Sequence, residues 1–513
     1  LSLHDALPIY SFYSLNRLET VSTPDSLERI GESTFEKDVK LAQINIPENL
    51  LTIEYKAFAE CVSLESIELP DSMTDIGNSA FLKCRSLTQI HIPEGLDVIA
   101  WGAFSGCTGL QRLYVPGNVE EIWGDAFSGC TGLTEVEIAE GVSEIGYGVF
   151  FKCANLSRVT LPGSVVYIDS YAFSGCTSLA NIVLPEGLPG IKDGTFSNCE
   201  NLVSIKLPDT VSYIEYGAFR DCAGLTEIVI PEGVTTIEAE SFYGCKSLKK
   251  LTIPDGVISI GNSAFKECNQ LRGLTIPDSV MEIQDYAFEN CSCLEEVVLP
   301  DGIEYLADGL FYGCSSLKTV QIPESVCMIG KQDEWSWQGV FENCSSLESI
   351  SIPEKVEYIG DRAFSGCSNL KSITLPEELT TIGVKMFSNC SSLVNITLPE
   401  SVTVIGVEAF SACSSLIDIT LPESVTTIQE FAFCDCTALV KISLPEGLKT
   451  IEGYAFSGCE KLKTVKLPTT LTEIGFCAFE YCSSLQKIII PESIVCIPYG
   501  AFMNCRELTY VYI

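Results

Sequence analysis

Histidine is almost missing from this chain of 513 residues, which contains only His4 and His91, and tryptophan occurs only four times. So few imidazoles leave little material for general acid–base catalysis or for histidine-based metal sites. The motifs G-x-S-x-G and H-E-x-x-H and a glycine-rich phosphate loop are also missing. The sequence therefore predicts no catalytic residue, no metal site and no cofactor, and we expect that the chain is not an enzyme.

Positive charge is scarce as well. The chain has 31 lysines and arginines against 68 aspartates and glutamates, which gives a formal net charge of -37 and a pI near 4.3. A dense polyanion would be repelled, so nucleic acid and a bare anionic membrane are poor partners. No run of about 18 apolar residues occurs, so we expect no membrane insertion in this segment. No signal peptide is visible at the start of the chain.

Cysteine, in contrast, is abundant and regularly spaced. It recurs every 23 residues from Cys61 to Cys314, and again at the same step from Cys344 to Cys505. A fixed period of this size is typical of a solenoid, in which each unit is too small to fold alone and stacking buries a continuous core. We therefore interpret residues 10–513 as a single solenoid of about 22 coils, with a seven-residue insertion within residues 330–340.

The repeat unit can be read column by column in residues 248–268, LKKLTIPDGVISIGNSAFKEC. Leu251 and Ile253 alternate with polar residues, which is the period of a half-buried strand. Pro254 then ends the strand, because proline has no amide hydrogen to donate. The following segment SAFKEC predicts one helical turn, with Phe265 and Cys268 three residues apart on its inner face.

Two of these columns run almost without exception along the chain. Phenylalanine occupies its position in every coil from Phe12 to Phe502, which predicts a stacked aromatic spine. The proline column departs once, at Ala139, where the strand could continue or the turn relax.

The cysteine column has two interpretations. Adjacent coils lie about 4.8 Å apart, which is close enough for a disulfide in principle. Unpaired cysteine, however, is among the most buried residue types and fits a small apolar slot. We expect free, buried thiols, which suit an anoxic or reducing setting. The cysteines outside the column show no metal-ligand spacing.

With its columns in place, the repeat L-x-x-I-x-I-P-x-x-V-x-x-I-G-x-x-A-F-x-x-C resembles the BspA-like class of bacterial leucine-rich repeats over residues 10–513. The resemblance implies a strand-dominated α/β solenoid, a right-handed horseshoe or arc with one short strand and one helical turn per coil. Proteins of this class are typically exported or displayed on the surface of host-associated bacteria, and several are adhesins. The resemblance predicts the fold in detail and leaves the ligand open.

Both ends of the chain look incomplete. Residues 1–9 resemble the translation of a sequencing adapter, and Ile513 falls where a strand should continue into the rest of its repeat. We expect that this sequence is a fragment of the native chain, truncated at both ends, so that an export signal or an anchor has been lost. Together with the resemblance, this predicts an extracellular or cell-surface location.

Candidate binding residues lie in columns whose residue type varies. The outward strand column includes His91 and Tyr114, although strand propensity explains much of that column. Aromatic residues before the phenylalanine column include Trp101, Trp123 and Tyr147, which either seal the edge of the coil or contact a ligand. The insertion carries two further candidates, Trp335 and Trp337, which either contact a ligand or pack onto the solenoid.

An acidic residue follows most prolines, as in Asp255, Glu354 and Glu400. Calcium prefers six or more converging oxygens, whereas this column offers its carboxylates in a line. We interpret the column as a solvated edge, with calcium binding as the alternative.

The sequence as a whole predicts a binding scaffold for a protein or a glycan, in an exported surface protein that acts as an adhesin. Its partner would be a host-matrix or cell-surface protein or glycan. One alternative is a structural spacer or an intracellular scaffold. Another is the targeting region of an enzyme whose catalytic domain lies outside this segment. The oligomeric state stays open.

Overall fold

The computed structural model describes residues 5–331 and 338–513, and the contacts within the chain divide it into two compact units, Leu1–Gly256 and Val257–Ile513. Each unit is a stack of short coils, and most coils contain two short parallel strands. The first strand of a coil alternates exposed, buried and exposed residues, as in Lys250–Thr252. The second has two residues, of which the second is buried, as in Thr236–Ile237.

The strands of the first unit are β1 (Ala6–Leu7), β2 (Thr20–Val21), β3 (Arg29–Ile30), β4 (Gln43–Ile44), β5 (Thr52–Ile53), β6 (Asp75–Ile76), β7 (Val98–Ile99), β8 (Arg112–Val115), β9 (Glu121–Ile122), β10 (Glu135–Ile138), β11 (Glu144–Ile145), β12 (Arg158–Thr160), β13 (Tyr167–Ile168), β14 (Glu227–Val229), β15 (Thr236–Ile237) and β16 (Lys250–Thr252). Those of the second unit are β17 (Ser259–Ile260), β18 (Gly273–Thr275), β19 (Glu282–Ile283), β20 (Glu296–Val298), β21 (Tyr305–Leu306), β22 (Thr319–Gln321), β23 (Met328–Ile329), β24 (Ser349–Ser351), β25 (Tyr358–Ile359), β26 (Ser372–Thr374), β27 (Thr381–Ile382), β28 (Val404–Ile405), β29 (Asp418–Thr420), β30 (Thr427–Ile428), β31 (Lys441–Ser443), β32 (Thr450–Ile451), β33 (Glu473–Ile474), β34 (Lys487–Ile489) and β35 (Tyr510–Tyr512).

Equivalent strands of successive coils pair in parallel and in register. In the first unit Val136 of β10 faces Val159 of β12, a separation of 23 residues that equals the sequence period. In the second unit the separation rises to 30 residues where Met328 of β23 faces Tyr358 of β25. The seven extra residues therefore leave the strand register intact.

The predicted aromatic spine is confirmed within each unit. The phenylalanine rings are fully buried along most of the column, and neighbouring rings stack with centroids 5.2–5.9 Å apart. The stacks run from Phe12 to Phe242 in the first unit and from Phe265 to Phe502 in the second. The step of the coils sets this spacing, so rings of adjacent coils within each unit are in contact.

The prediction of one helical turn per coil is wrong, because the described residues contain no helix. In the coil around Phe387, residues Lys385 and Asn389 have φ angles of 55° and 62°. A left-handed residue at every fourth position cannot continue an α-helix. The segment forms consecutive turns instead, in which the amides of Ser388 and Cys390 donate to carbonyls three residues earlier.

Alternate amides of this segment bond to the next coil. Phe387 N donates to the carbonyl of Ala409 at 2.8 Å, and Asn389 N donates to that of Ser411 at 2.8 Å. A helix would satisfy these amides internally and would leave neighbouring coils without backbone bonds at this edge. The observed fold is therefore a strand-dominated parallel solenoid with a ladder of turns in place of helical turns.

The proline column ends its strands as predicted. A turn follows, in which Val280 N donates to the carbonyl of Pro277 at 3.0 Å. At the one departure, Ala139, the additional amide donates to Val115 of the preceding coil at 3.0 Å. The strand before Ala139 is correspondingly four residues long.

No disulfide joins any of the described cysteines, and nearly all members of the column are buried, as predicted. Column thiols donate to the carbonyl of the phenylalanine in the preceding coil, for example Cys413 Sγ to Phe387 O at 3.1 Å. Burial raises the pKa of most of these thiols, to about 12 for Cys153 and about 11 for Cys505. The thiols are therefore protonated hydrogen-bond donors in the core, and they are poor nucleophiles.

Candidate functional site

The outward residues of the strand face are exposed and differ from coil to coil, whereas the inward residues are aliphatic throughout. His91 and Tyr114 follow each other in this outward column, one coil apart. His91 Nε2 lies 2.8 Å from Asp71 Oδ1, and this hydrogen bond lowers the pKa of the Asp71 carboxyl. Tyr114 is 54% exposed.

Beside Tyr114, the first unit carries a short ladder of charges on its strands. Glu135 lies 3.5 Å from Arg112 and 3.4 Å from Arg158, each measured from a carboxylate oxygen to a guanidinium nitrogen. Three charged side chains therefore run across three coils next to the exposed phenol. This surface can offer a ligand one aromatic ring with ionic groups at its side.

The other described candidates lie in the turn segment. Trp101, Trp123 and Tyr147 are all partly exposed, and they come from three successive coils. They do not share one column: Trp123 stands one position before the column of Trp101 and Tyr147, and Tyr171 stands one position after it. The aromatic row read from the sequence is thus a band three columns wide.

Neighbouring glycines accommodate the rings of this band. A Cβ atom built on Gly124 would lie 2.2 Å from the ring of Trp101, so that ring rests directly on the glycine backbone. Gly194 relates in the same way to Tyr171, at 2.4 Å. One ring face is therefore covered, and Trp101 nevertheless keeps 47% of its surface exposed. The ring of Trp101 therefore covers part of the coil and stays accessible to solvent.

Polar contacts orient two members of the band, Trp123 and Tyr216. Trp123 Nε1 donates to Glu121 Oε2 at 2.8 Å, and Tyr216 donates from its hydroxyl to Glu240 Oε2 at 2.8 Å. The bond to Glu240 raises the pKa of the Tyr216 phenol. These rings are held in place before any ligand arrives, which reduces the entropy lost on binding.

A cavity of about 750 Å³ opens in this band in the first unit. Its floor consists of small residues, among them Gly175 and Gly194, and of the hydroxyls of Ser174 and Ser197, which lie 2.7 Å apart. Its walls carry larger side chains: Phe151, Lys152, Tyr171, Asn198, Tyr216 and Arg220. The volume lies within the range of small-ligand pockets.

The charges at this cavity are only partly neutralised within the protein. Arg220 forms an ion pair with Glu240, and its guanidinium stands 4.7 Å from the ring centroid of Tyr243. The Lys152 ammonium lies 4.8 Å from the ring centroid of Phe151. The sequence analysis missed Phe151, Lys152 and Arg220. A signal was available in the sequence: the column that holds Phe151 and Arg220 has the small residues Ser174 and Ser197 in the two coils between them, which leaves space for a cavity.

The described residues place the candidates on two separate surfaces: His91 and Tyr114 on the strand face, and Trp101, Trp123 and Tyr147 on the turn segment. Trp335 and Trp337 lie outside the described residues, and their role stays a prediction. Among the residues that the structure describes, no group of three or more His, Cys, Asp or Glu side chains could hold a metal ion. In the same part of the chain, no helix has the length and hydropathy to cross a bilayer.

Parallel coils, an interior that is apolar in every coil and a variable outward face define a leucine-rich-repeat scaffold of the kind that binds other molecules and does not catalyse reactions. The chain belongs to the family of BspA-type leucine-rich repeat regions, whose profile matches residues 5–131, 102–226, 213–332, 338–440 and 426–513.

Solved structures of bacterial leucine-rich-repeat proteins are similar to this chain. One, from Bacteroides ovatus, is 32% identical over 74% of this chain and 92% of that chain, with a TM-score of 0.60. Another, a leucine-rich cell surface protein from Faecalibacterium prausnitzii, is 34% identical over 52% of this chain and 78% of that chain, with a TM-score of 0.37. No curated protein matches the sequence.

Proposed function

We propose that this chain is the ligand-binding region of an exported, surface-associated adhesin that recognises a host-matrix or cell-surface protein or glycan. The observation that carries the proposal is the contrast between the two sides of each strand. The inward columns stay aliphatic and buried, while the outward column changes from Tyr114 to Glu137, Thr160, Val183 and Lys206 in successive coils. Varied, exposed chemistry on a constant framework is what a recognition surface requires.

Two surfaces of the first unit are the proposed contact regions. The strand face offers His91 and Tyr114, and the turn segment offers Trp101, Trp123 and Tyr147. Partly exposed aromatic rings that are already held in position bury a large area for a small entropic cost, so they are effective anchors for protein or sugar partners. The sequence-based candidates Trp335 and Trp337 belong to the same proposal.

An array of glycans and host-matrix proteins, probed with the full chain, tests the proposal. Three paired variants would accompany the wild-type chain: His91→Ala with Tyr114→Ala, Trp101→Ala with Trp123→Ala, and Trp335→Ala with Trp337→Ala. Loss of binding in one pair, with retained thermal stability, would assign the ligand to that surface. Tyr481→Ala removes an exposed ring in the second unit and serves as the control. The absence of binding to every probe would contradict the adhesin proposal.

A further inference from the structure

The last coils of the second unit differ in charge from the rest of the chain. Residues 440–513 contain seven lysines and arginines and seven aspartates and glutamates, whereas the whole chain has a net charge of -37. Within this segment the positive charges gather on the strand face, where Lys441, Lys463, Lys466 and Lys487 are all exposed. The strand face here is therefore basic on an otherwise acidic protein.

Most of these ammonium groups are not neutralised by the protein. Lys466 Nζ lies 2.9 Å from Glu446 Oε1, and this contact lowers the pKa of the glutamate. Within the described residues, no carboxylate oxygen lies within 4.0 Å of the ammonium of Lys441, Lys463 or Lys487. Lys487 instead stands 5.3 Å from the ring centroid of a tyrosine on β35. Unneutralised ammonium groups in close array attract an anionic partner.

A groove of about 390 Å³ lies among these lysines, between two successive first-strand segments of the second unit. Its floor and wall are aliphatic, formed in part by Val465, Leu467 and Ile489. Lys466 and Lys487 line its rim. The groove therefore combines an apolar slot with two cations.

The first unit contains a groove at the equivalent columns, with a volume of about 430 Å³. There Lys206 takes the place of the first rim lysine and lies 3.1 Å from Glu186, and Val229 forms the aliphatic wall. The second rim lysine is replaced by Glu227, and a rim threonine is replaced by Asp209. The two grooves thus share their position and their apolar lining and carry opposite charge at the rim.

We propose that the groove of the second unit binds an extended acidic peptide segment of a partner protein. One aliphatic side chain of the peptide enters the slot, and carboxylates on either side of it meet Lys466 and Lys487. The aliphatic floor favours a peptide over an acidic polysaccharide, because it offers sugar hydroxyls no hydrogen-bond partner. This inference rests on the proposed function, since it names the chemistry of one protein ligand for the same scaffold.

The ion pair between Lys466 and Glu446 does not prevent Lys466 from binding a peptide carboxylate. The Lys466 and Glu446 side chains are 84% and 52% exposed. An exposed pair of this kind is weak, because water and salt screen the attraction. A ligand carboxylate can therefore share the ammonium without displacing a structural contact.

Fluorescence anisotropy of the full chain with a labelled heptapeptide, Gly-Glu-Glu-Leu-Glu-Glu-Gly, tests the proposal. Lys466→Glu combined with Lys487→Glu should weaken binding by about tenfold or more, because two attractions become repulsions. Lys206→Glu in the first unit is the matched control and should leave the affinity within about twofold. Replacing the peptide leucine by serine should weaken binding by about tenfold through loss of apolar burial.

Substitutions that create a second peptide site in the first unit test the same proposal through a gain of binding. Asp209→Thr combined with Glu227→Lys gives the groove of the first unit the rim of the second. This variant should bind a second equivalent of the peptide. Circular dichroism and thermal unfolding would check that each variant is folded.

Three results would overturn the proposal: no peptide binding to the wild-type chain, equal binding by the double lysine variant, or equal binding of the leucine and serine peptides. Binding of a heparin-derived hexasaccharide at the groove in place of the peptide would overturn it too. If these peptides fail while the array still identifies a ligand, only this inference fails. If both experiments fail, the proposed function fails with it.

Discussion

Asp38 is expected to make the stability of the first coils depend on pH. It stands in the cysteine column, 23 residues before Cys61, and it is fully buried. Its Oδ2 atom has no hydrogen-bond partner among the described residues, while its other oxygen accepts a hydrogen bond from the amide of Leu15. Burial raises the pKa of this carboxyl from 3.8 to about 6. The cysteine found at this position in other coils would carry no charge there.

Because the pKa of Asp38 is raised, the first coils should be more stable at acidic pH than at neutral pH. The pKa of Asp38 is higher in the folded chain than in the unfolded chain. The stability that its protonated carboxyl contributes is therefore fully present below the unfolded pKa of about 4, and it is lost as the pH rises through about 6. At pH 7.5 the loss is on the order of 2–3 kcal/mol. Asp38→Asn keeps an acceptor for the amide of Leu15 and removes the charge, so it should stabilise these coils at pH 7.5 and leave them nearly unchanged at pH 4.

Hydrogen exchange measured by mass spectrometry on peptides covering residues 27–44 reports the opening of these coils separately from the rest of the chain. The variant should exchange at least tenfold more slowly than the wild-type chain at pH 7.5, and the two should converge towards pH 4. Asp25→Asn, an exposed carboxyl nearby, is the control and should show no such difference. Equal protection of the two chains at pH 7.5 would refute the assignment of a buried, ionised Asp38.

Three further predictions concern the turns, the thiols and the spine. Ala412 has a φ angle of 58°, a left-handed conformation that glycine adopts more easily than alanine, so Ala412→Gly should slow local hydrogen exchange by about two- to fivefold. Ala438 lies outside the left-handed region, so Ala438→Gly should speed the exchange. Acceleration in both variants would contradict this prediction. Thiol titration of denatured protein purified without reductant should find nearly all 25 cysteines free, and a count near zero would disprove the buried thiol column. Phe387→Ala should destabilise its coil by about 3–5 kcal/mol in chemical denaturation, while Tyr114→Ala should change stability by less than about 0.5 kcal/mol; equal losses would show that the spine is not a close-packed core.

The period of 23 residues was sufficient to predict most of the fold. It placed Phe265 and Cys268 in buried columns and put the strands of successive coils in register, because in-register stacking is the arrangement that keeps every column together. It also identified Pro277 and its equivalents as the ends of strands. These features depend on each residue and its equivalent in the next coil, which the repeat displays directly.

The helical turn could not be distinguished from tandem turns by that pattern. Two buried residues three positions apart, such as Phe387 and Cys390, fit both structures. The difference lies in the left-handed residues Lys385 and Asn389 and in backbone bonds to residues 22 positions later. Local propensity does not account for a hydrogen bond between residues so far apart in the sequence, and lysine does not usually mark a left-handed position.

The candidate surfaces were predicted only in part, because their geometry depends on contacts between coils. The exposed rings of Trp101 and Tyr114 could be recognised from the sequence as outward residues. The grooves could not, since an ion pair such as Lys466 with Glu446 joins residues 20 positions apart. A usable signal was present, however: Lys206 and Lys466 are the two lysines in the outward strand column, and each is next to an exposed aliphatic residue in the following coil.

Different parts of a coil serve stability and recognition, and this separation explains how two similar grooves can differ in charge. Backbone amides of the turn segment, such as those of Phe387 and Asn389, connect each coil to the next without using any outward side chain. The inward columns supply the apolar burial. Outward side chains such as Glu227 and Lys487 therefore contribute little to folding, and their charge can be exchanged while the groove beneath them keeps its shape. Recognition chemistry on this scaffold is thus set coil by coil, independently of the interactions that hold the coils together.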